Sequence, residues 1–317
     1  MKPDLSVKIG GMTLLNPVMP ASGCFGYGEE YAHYFDLAVL GAIIVKGTTA
    51  SPCPGNPPPR LAETAAGLLN AIGLQNPGAA SAREKISSLA KYGVPVIVNV
   101  AGHSVEDYCE VVRAMEKDLA VAAFELNISC PNVSAGGMAF GTEPGLVERL
   151  VQKIRLLTKK TLIVKLSPNV TDIVKIARAA EAGGADALSL INTLLGMAID
   201  VRTRRPVLAN LTGGLSGPAV KPVALRMVWQ VTSAVNVPVI GLGGISCAQD
   251  ATEFLLAGAS AVAVGTANFN NPLICPQIID GISAYLSDNS FSSLGQIIGL
   301  AKENKTEAGG ECGCGKK

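Results

Sequence analysis

Charge is scarce in this 317-residue chain: Asp, Glu, Lys and Arg together make up 16% of it, 26 basic residues nearly balance 25 acidic ones, and the formal net charge is +1. No basic surface is on offer to a polyanion, so a nucleic-acid partner is not expected. A membrane-crossing run is also missing. The longest stretch without charge, residues 254–279, is broken by Asn268, Asn270, Asn271, Pro272, Pro276 and Gln277, which argues against a span. The opening MKPDLSVKIGGMTLL lacks the charged segment and apolar segment of a secretory leader, so a cytoplasmic protein is expected. Eight cysteines stand at 24, 53, 109, 130, 247, 275, 312 and 314, spacings that suit neither a disulfide framework nor a zinc or iron–sulfur ligand set. Reduced thiols are the default, and Cys312 and Cys314, in the tail GGECGCGKK, are read as part of a flexible terminus. No dinucleotide fingerprint follows a strand either, because Gly241-Leu-Gly243-Gly244-Ile-Ser246 lacks the third glycine in place.

Apolar residues are plentiful instead, at 48%, enough for a large core. Eight short runs rich in Val, Ile and Leu recur: NPVMPA (16–21), AIIVK (42–46), PVIVNVA (95–101), AFELNIS (123–129), LIVKLS (162–167), ALSLIN (187–192), PVIGLGG (238–244) and AVAVGT (261–266). Amphipathic stretches such as VEDYCEVVRAMEKD, VERLVQKIRLL, DIVKIARAAEAG and DATEFLLAGA separate many of them. Continuously apolar strands alternating with helices indicate a buried parallel sheet. Eight alternations over about 250 residues favour a closed (β/α)8 TIM barrel, with an open doubly wound sheet as the alternative. One barrel domain over residues 1–303 and a tail over 304–317 is the expected organisation. Two connections, 47–80 and 192–217, are longer than a barrel needs, and loops of that length usually form lids or binding walls.

A barrel places its active site at the C-terminal ends of its strands, and polar residues collect there: Lys46, Asn99, Asn127, Lys165 and Asn192 each close an apolar run. A lysine within LIVKLS is costly to bury without an anion, a carbonyl or a cofactor beside it. The last two strands end in GLGGIS and VGT, putting Gly243, Gly244, Gly265 and Thr266 where barrels commonly bind phosphate through exposed backbone N–H groups. Paired glycines also serve turns. Together, a phosphate pocket, a buried cation and amides at a barrel mouth suit a mononucleotide such as FMN. The run NISCPN (127–132) then sets a thiol among amides beside that site.

The motifs NPVMPASGCFGYG, KGTT, NAIGLQNPG, NISCPN, VKLSP, INTLLGMAID, GGLSGPAVKP, GLGGI and AVGTA, in this order, closely resemble the class 1 dihydroorotate dehydrogenases. These flavin enzymes oxidise dihydroorotate to orotate in pyrimidine synthesis, and the resemblance covers about residues 4–300. NPVMPASGCFG and INTLLGMAID look most like class 1B, whose catalytic subunit works with a second, electron-transferring subunit. The resemblance implies an FMN site made by Ser22, Lys46, Gly47, Asn99, Asn127, Lys165, Ile191, Gly217, Gly243, Gly244, Gly265 and Thr266. It implies a substrate site made by Lys46, Asn70, Ala71, Ile72, Gly73, Leu74, Asn127, Asn132, Asn192 and Thr193, and it makes Cys130 the catalytic base. It further implies a partner carrying FAD and a two-iron two-sulfur cluster, a homodimeric core within a heterotetramer, and NAD as final acceptor.

Those roles make chemical sense. Removing a proton from ring carbon 5 and a hydride from carbon 6 needs a base on one face and a flavin on the other. Asparagine both donates and accepts, as the N–H and C=O edge of a pyrimidine requires. An unshifted thiol is mostly protonated at neutral pH, so activity is expected to rise with pH. The loop VSAGGMAFGTEP (133–144), glycine-rich, is a candidate lid. Class 1A enzymes, which pass electrons to fumarate, and dihydropyrimidine dehydrogenases are the nearest alternatives. A tRNA dihydrouridine synthase pairs a flavin barrel with a cysteine too, but needs a basic surface that this charge balance does not provide.

Overall fold

In the computed structural model, residues 2–129, 131–132 and 138–303 are described. Eight parallel strands form one sheet: β1 (Val18–Pro20), β2 (Ile43–Ile44), β3 (Val96–Val100), β4 (Val121–Asn127), β5 (Thr161–Lys165), β6 (Ala187–Leu190), β7 (Val239–Leu242) and β8 (Ala261–Val264). Their spatial order is β1-β8-β7-β6-β5-β4-β3-β2. The ring closes where Gly41 N, just before β2, donates to Val18 O of β1 at 2.9 Å. All eight apolar runs of the sequence are strands of this barrel, as a (β/α)8 fold requires.

Alternation along each strand sorts its side chains into two cores. Inward-facing Met19, Ile44, Ile97, Ala123, Ile163, Ala187, Ile240 and Ala263 pack together in the barrel's lumen. Outward-facing Val98, Phe124, Leu126, Leu162, Val164 and Leu188 pack under the surrounding helices. An antiparallel hairpin, Val7–Ile9 and Met12–Leu14, adds Ile9, Met12 and Leu14 to the luminal core. Gly11 N donates to Thr161 Oγ1 at 3.1 Å, so this hairpin plugs the N-terminal end of the barrel. Solvent and ligands are left with the other end.

The longer helices are α1 (Gly78–Ser88), α2 (Val105–Met115), α3 (Pro144–Arg155), α4 (Ile173–Ala182), α5 (Lys221–Thr232), α6 (Ala248–Leu256) and α7 (Ile274–Asp288). Their starts follow local chemistry. Ser104 and Asp107 form a capping box on α2, the Asp172 carboxylate accepts from Val174 N and Lys175 N on α4, and a proline stands in the first turn of α3, each satisfying or removing an orphan N–H. Between β1 and β2 there are only two 3-10 turns, Tyr31–His33 and Leu37–Val39.

The two long connections meet. Leu61–Thr64 and Gly67–Asn70 from the first pair with Thr212–Ser216 and Leu194–Met197 from the second, in one four-stranded antiparallel sheet. Because Asn70 closes one of these strands and Thr193 directly precedes another, the sheet is a wall of the C-terminal mouth. After β4, Pro131–Asn132 pairs antiparallel with Met138–Ala139. Cys130, residues 133–137 of the candidate lid and the tail 304–317 lie outside the described residues, as do the side chains at 131, 132, 138 and 139.

Candidate active site at the barrel mouth

The top of the lumen is polar, and strand register explains how. Asn127 of β4 pairs with Lys165 of β5, which pairs with Ser189 of β6. One layer lower, Asn99 of β3 pairs with Glu125 of β4. Each of these side chains points inward because it lies an even number of residues from a luminal apolar one.

Lys165 is 5% exposed, and its Nζ donates to Ser22 Oγ at 3.1 Å. That is a modest partner for a buried ammonium. Glu125 lies two residues before Asn127 on the neighbouring strand, yet no ion pair joins it to Lys165 among the described residues. Ser22 follows β1, so its bond to Lys165 crosses the mouth. Beside them, the Cys24 thiol is pushed up to about 11 by burial, against the pull of Lys165 and Lys46. Burial is also the largest cause lowering the Lys46 ammonium below its ordinary value; Cys24 raises it and Arg60 lowers it further. Two ammonium groups therefore converge on one mouth, and neither forms an ion pair with a carboxylate among the described residues. Such an arrangement suits an anion or an electron-rich ring.

A second cluster holds the amides. Asn192 Nδ2 donates to Asn127 Oδ1 at 3.1 Å and to Ser129 Oγ at 2.9 Å, and its own Oδ1 accepts from Thr193 N at 2.8 Å. Tyr108 Oη, from α2, donates to Asn127 O at 2.7 Å and so fixes the strand end that leads into NISCPN. Asn70 Nδ2 donates to Gly214 O at 3.2 Å, and a Cβ on Gly214 would lie 2.0 Å from Thr193 Oγ1. Asn70, Asn127, Asn192 and Thr193 thus share one side of the mouth. Ala71, Ile72, Gly73 and Leu74 continue from Asn70 in a turn with Gly73 at φ 72° and Leu74 at φ 58°. Asn76 holds that turn: its Nδ2 donates to Leu74 O at 2.7 Å and to Thr49 Oγ1 at 2.8 Å.

The glycines form a third cluster. A Cβ on Gly244 (φ 77°) would meet Lys221 N at 2.8 Å and Gly217 O at 2.9 Å, and one on Gly217 (φ 92°) would meet Gly67 Cα at 2.7 Å. Backbone approaches backbone here in a conformation that favours glycine. Gly243 lies against Ile191, and Ile191 N donates to Leu242 O at 2.8 Å. Thr266 Oγ1 donates to Ser216 Oγ at 2.8 Å, and Gly265 faces Cys24 Sγ, 3.6 Å from where its Cβ would be. The glycine cradle is therefore continuous with the lysine cluster through Cys24.

Asn99 links the site to the lumen below. Its Nδ2 donates to Glu125 Oε2 at 2.6 Å, while its buried Oδ1 meets no hydrogen-bond partner among the described residues. Gly47 borders that oxygen, 3.0 Å from where a glycine Cβ would stand. A buried carbonyl without a donor, two ammonium groups and a cradle of backbone N–H groups fit FMN: an imide edge, an electron-rich ring and a phosphate. Of the candidate site residues singled out from the sequence, Cys130 and the Asn132 side chain lie outside the described ones.

Sequence reasoning missed Glu125, Ser189, Cys24 and Asn76. Glu125 had a signal: an acid inside AFELNIS is as anomalous as the lysine inside LIVKLS.

The family model described as dihydroorotate dehydrogenase matches residues 4–286. A relative from Alkaliphilus metalliredigens, named dihydroorotate dehydrogenase B (NAD(+)), catalytic subunit, is 58% identical over 94% of this chain and 99% of its own length. Relatives of the same name from Geobacillus kaustophilus (55% identical, 93% of this chain and 95% of theirs) and Enterococcus faecalis (54%, 97% and 99%) are similar throughout as well.

Proposed function

On the premise that the chain belongs to the dihydroorotate dehydrogenase family, we propose that it is the catalytic subunit of an NAD-linked enzyme oxidising (S)-dihydroorotate to orotate in de novo pyrimidine biosynthesis. The names of its relatives carry the subunit role and the acceptor. The observation that carries the cofactor is the Lys165 ammonium, buried with no ion pair among the described residues, together with the buried Asn99 Oδ1, which has no donor among them.

When bound, FMN would supply the hydride acceptor for ring carbon 6. Gly217, Gly243, Gly244, Gly265 and Thr266 would hold its phosphate; Ser22, Lys46, Gly47, Asn99, Asn127, Lys165 and Ile191 would hold its ring and side chain. Lys165 supplies a fixed positive charge where negative charge develops, in a dry site where such preorganisation counts most. Asn70, Asn127, Asn132, Asn192 and Thr193, with the turn Ala71, Ile72, Gly73 and Leu74, orient the dihydropyrimidine ring. Lys46 meets its carboxylate. Cys130 takes the carbon 5 proton as a thiolate and is left as a neutral thiol.

Electrons leave through a partner subunit carrying FAD and a two-iron two-sulfur cluster, in a heterotetramer built on a dimer of this chain. The sequence supports an external acceptor site, since GLGGIS is not a dinucleotide fingerprint. No helix among the described residues is long and apolar enough to cross a membrane, and we place the enzyme in the cytoplasm. Residues 1–303 are assigned to one FMN-binding domain, with 304–317 as its tail.

The test is anaerobic mixing of the FMN-loaded chain with dihydroorotate. Rapid flavin reduction, followed by reoxidation with NAD only when the partner subunit is added, is expected. Efficient reoxidation of the isolated chain by fumarate would replace the NAD-linked assignment with a fumarate-dependent one.

A further inference from the structure

Glu125 takes no part in the reaction as described. It is 0% exposed, points into the lumen one layer below Asn127, and has no ion pair among the described residues. A carboxylate in that position is costly unless its oxygens are well bonded. Ser189 Oγ bonds Oε1 at 2.7 Å and Asn99 Nδ2 bonds Oε2 at 2.6 Å.

The second bond does more than solvate the carboxylate. An amide side chain donates at one end and accepts at the other, whereas an ionised carboxylate only accepts. With Nδ2 turned to Glu125, Oδ1 is turned the other way, where it is buried, bordered by Gly47 and without a donor. Turned over, the amide would set two oxygens 2.6 Å apart. Glu125 thereby decides which end of Asn99 is turned towards Gly47.

We infer that Glu125 is a positioning residue that locks Asn99 as a hydrogen-bond acceptor for the flavin's N3–H. The inference rests on the FMN reading above. Oxidised isoalloxazine has one ring N–H, at N3, flanked by carbonyls. Lys165 offers only donors, so it suits the carbonyl and N1 positions and cannot serve N3–H. A donor-only lysine and an acceptor-only asparagine oxygen admit a single register of that edge. Were Asn99 free to turn, its NH2 would face N3–H and the register would be lost.

The experiment compares dissociation constants of FMN and of N3-methyl FMN for the apoprotein, read by flavin fluorescence, in wild type and Glu125→Gln. Glutamine is nearly isosteric but can donate, which lets Asn99 turn over. Wild type is expected to prefer FMN strongly. In E125Q, FMN binding should weaken about tenfold, the worth of one hydrogen bond in a dry site, and the preference over the methylated flavin should shrink by a similar factor. Ser189→Ala loosens the same carboxylate without touching its bond to Asn99, and should keep the wild-type preference. Asn99→Leu removes the acceptor itself and should lose the preference even if E125Q proves unfolded. An unchanged preference in E125Q or in N99L would overturn the inference and leave Glu125 a structural group. Wild-type protein that binds no FMN would overturn the function proposed above and this inference with it.

Discussion

Replacing Lys165 by methionine should change the apoprotein and the flavoprotein in opposite directions. In the apoprotein the ammonium is 5% exposed and its bond is to the neutral Ser22 hydroxyl at 3.1 Å. Burying a charge costs several kcal/mol, and one bond to a neutral group returns about 1 kcal/mol. Methionine keeps the length and apolar stem without the charge, so K165M should stabilise the apoprotein by roughly 1–3 kcal/mol, in the range seen when buried charges are replaced by apolar groups. At about 2 °C or slightly more per kcal/mol for a chain of this size, the apo melting temperature should rise by roughly 2–6 °C. With FMN the lysine gains its partner, and removing it resembles removal of one preorganised donor, a loss of about 10²–10³ in rate. Calorimetry of the apoprotein and stopped-flow reduction of the flavoprotein read the two halves separately. A lower apo melting temperature together with wild-type flavin reduction would refute the reasoning, because the lysine would then be holding the barrel and not the ring.

Gly244→Ala should weaken FMN binding by about tenfold to a hundredfold, the loss of one or two backbone hydrogen bonds, since a Cβ would press on Lys221 N at 2.8 Å and Gly217 O at 2.9 Å; wild-type affinity by fluorescence titration would remove the cradle assignment. Cys130→Ala should keep FMN bound yet lose dihydroorotate oxidation almost entirely, with Cys130→Ser retaining a trace that grows at high pH; a near-normal reduction rate in the alanine variant would eliminate the base. Lys46 has its pKa lowered in the fold from the ordinary 10.5, chiefly by burial. Between its folded value and 10.5 the unfolded chain binds more protons, so the associated instability is full at neutral pH and fades as pH rises through that window. The apoprotein of Lys46→Met should accordingly be more stable than wild type at neutral pH, with the gap in urea midpoints narrowing towards pH 10.5; a gap independent of pH would show that charge burial is not its origin.

The barrel was legible because its strands are apolar on both faces, so each of the eight runs stands out against amphipathic helices such as α2 and α4. Lys165 was legible for the converse reason, a charge where burial forbids one. Glu125 carries the same signal and was overlooked, since its partners Asn99 and Ser189 lie 26 and 64 residues away and only the closed barrel brings them together. The sheet over the mouth was hidden for two reasons. Its strands are half-exposed, and although exposure alternates along Leu61–Thr64 and Leu194–Met197, their residue types, LAET and LLGM, do not follow it. Its central pairing also joins Asn70 to Gly214, a contact that no local pattern encodes. The hairpin plug is likewise spelled by only three residues a side around Gly10, which stands at φ 55°.

The most direct measurement of the account is the visible absorbance of the anaerobic, FMN-loaded chain on addition of dihydroorotate, then of NAD, then of the partner subunit. The flavin band should bleach with dihydroorotate, stay bleached with NAD alone, and return once the partner is present. A flavin that remains oxidised in the presence of dihydroorotate would contradict the claim that this barrel mouth oxidises it.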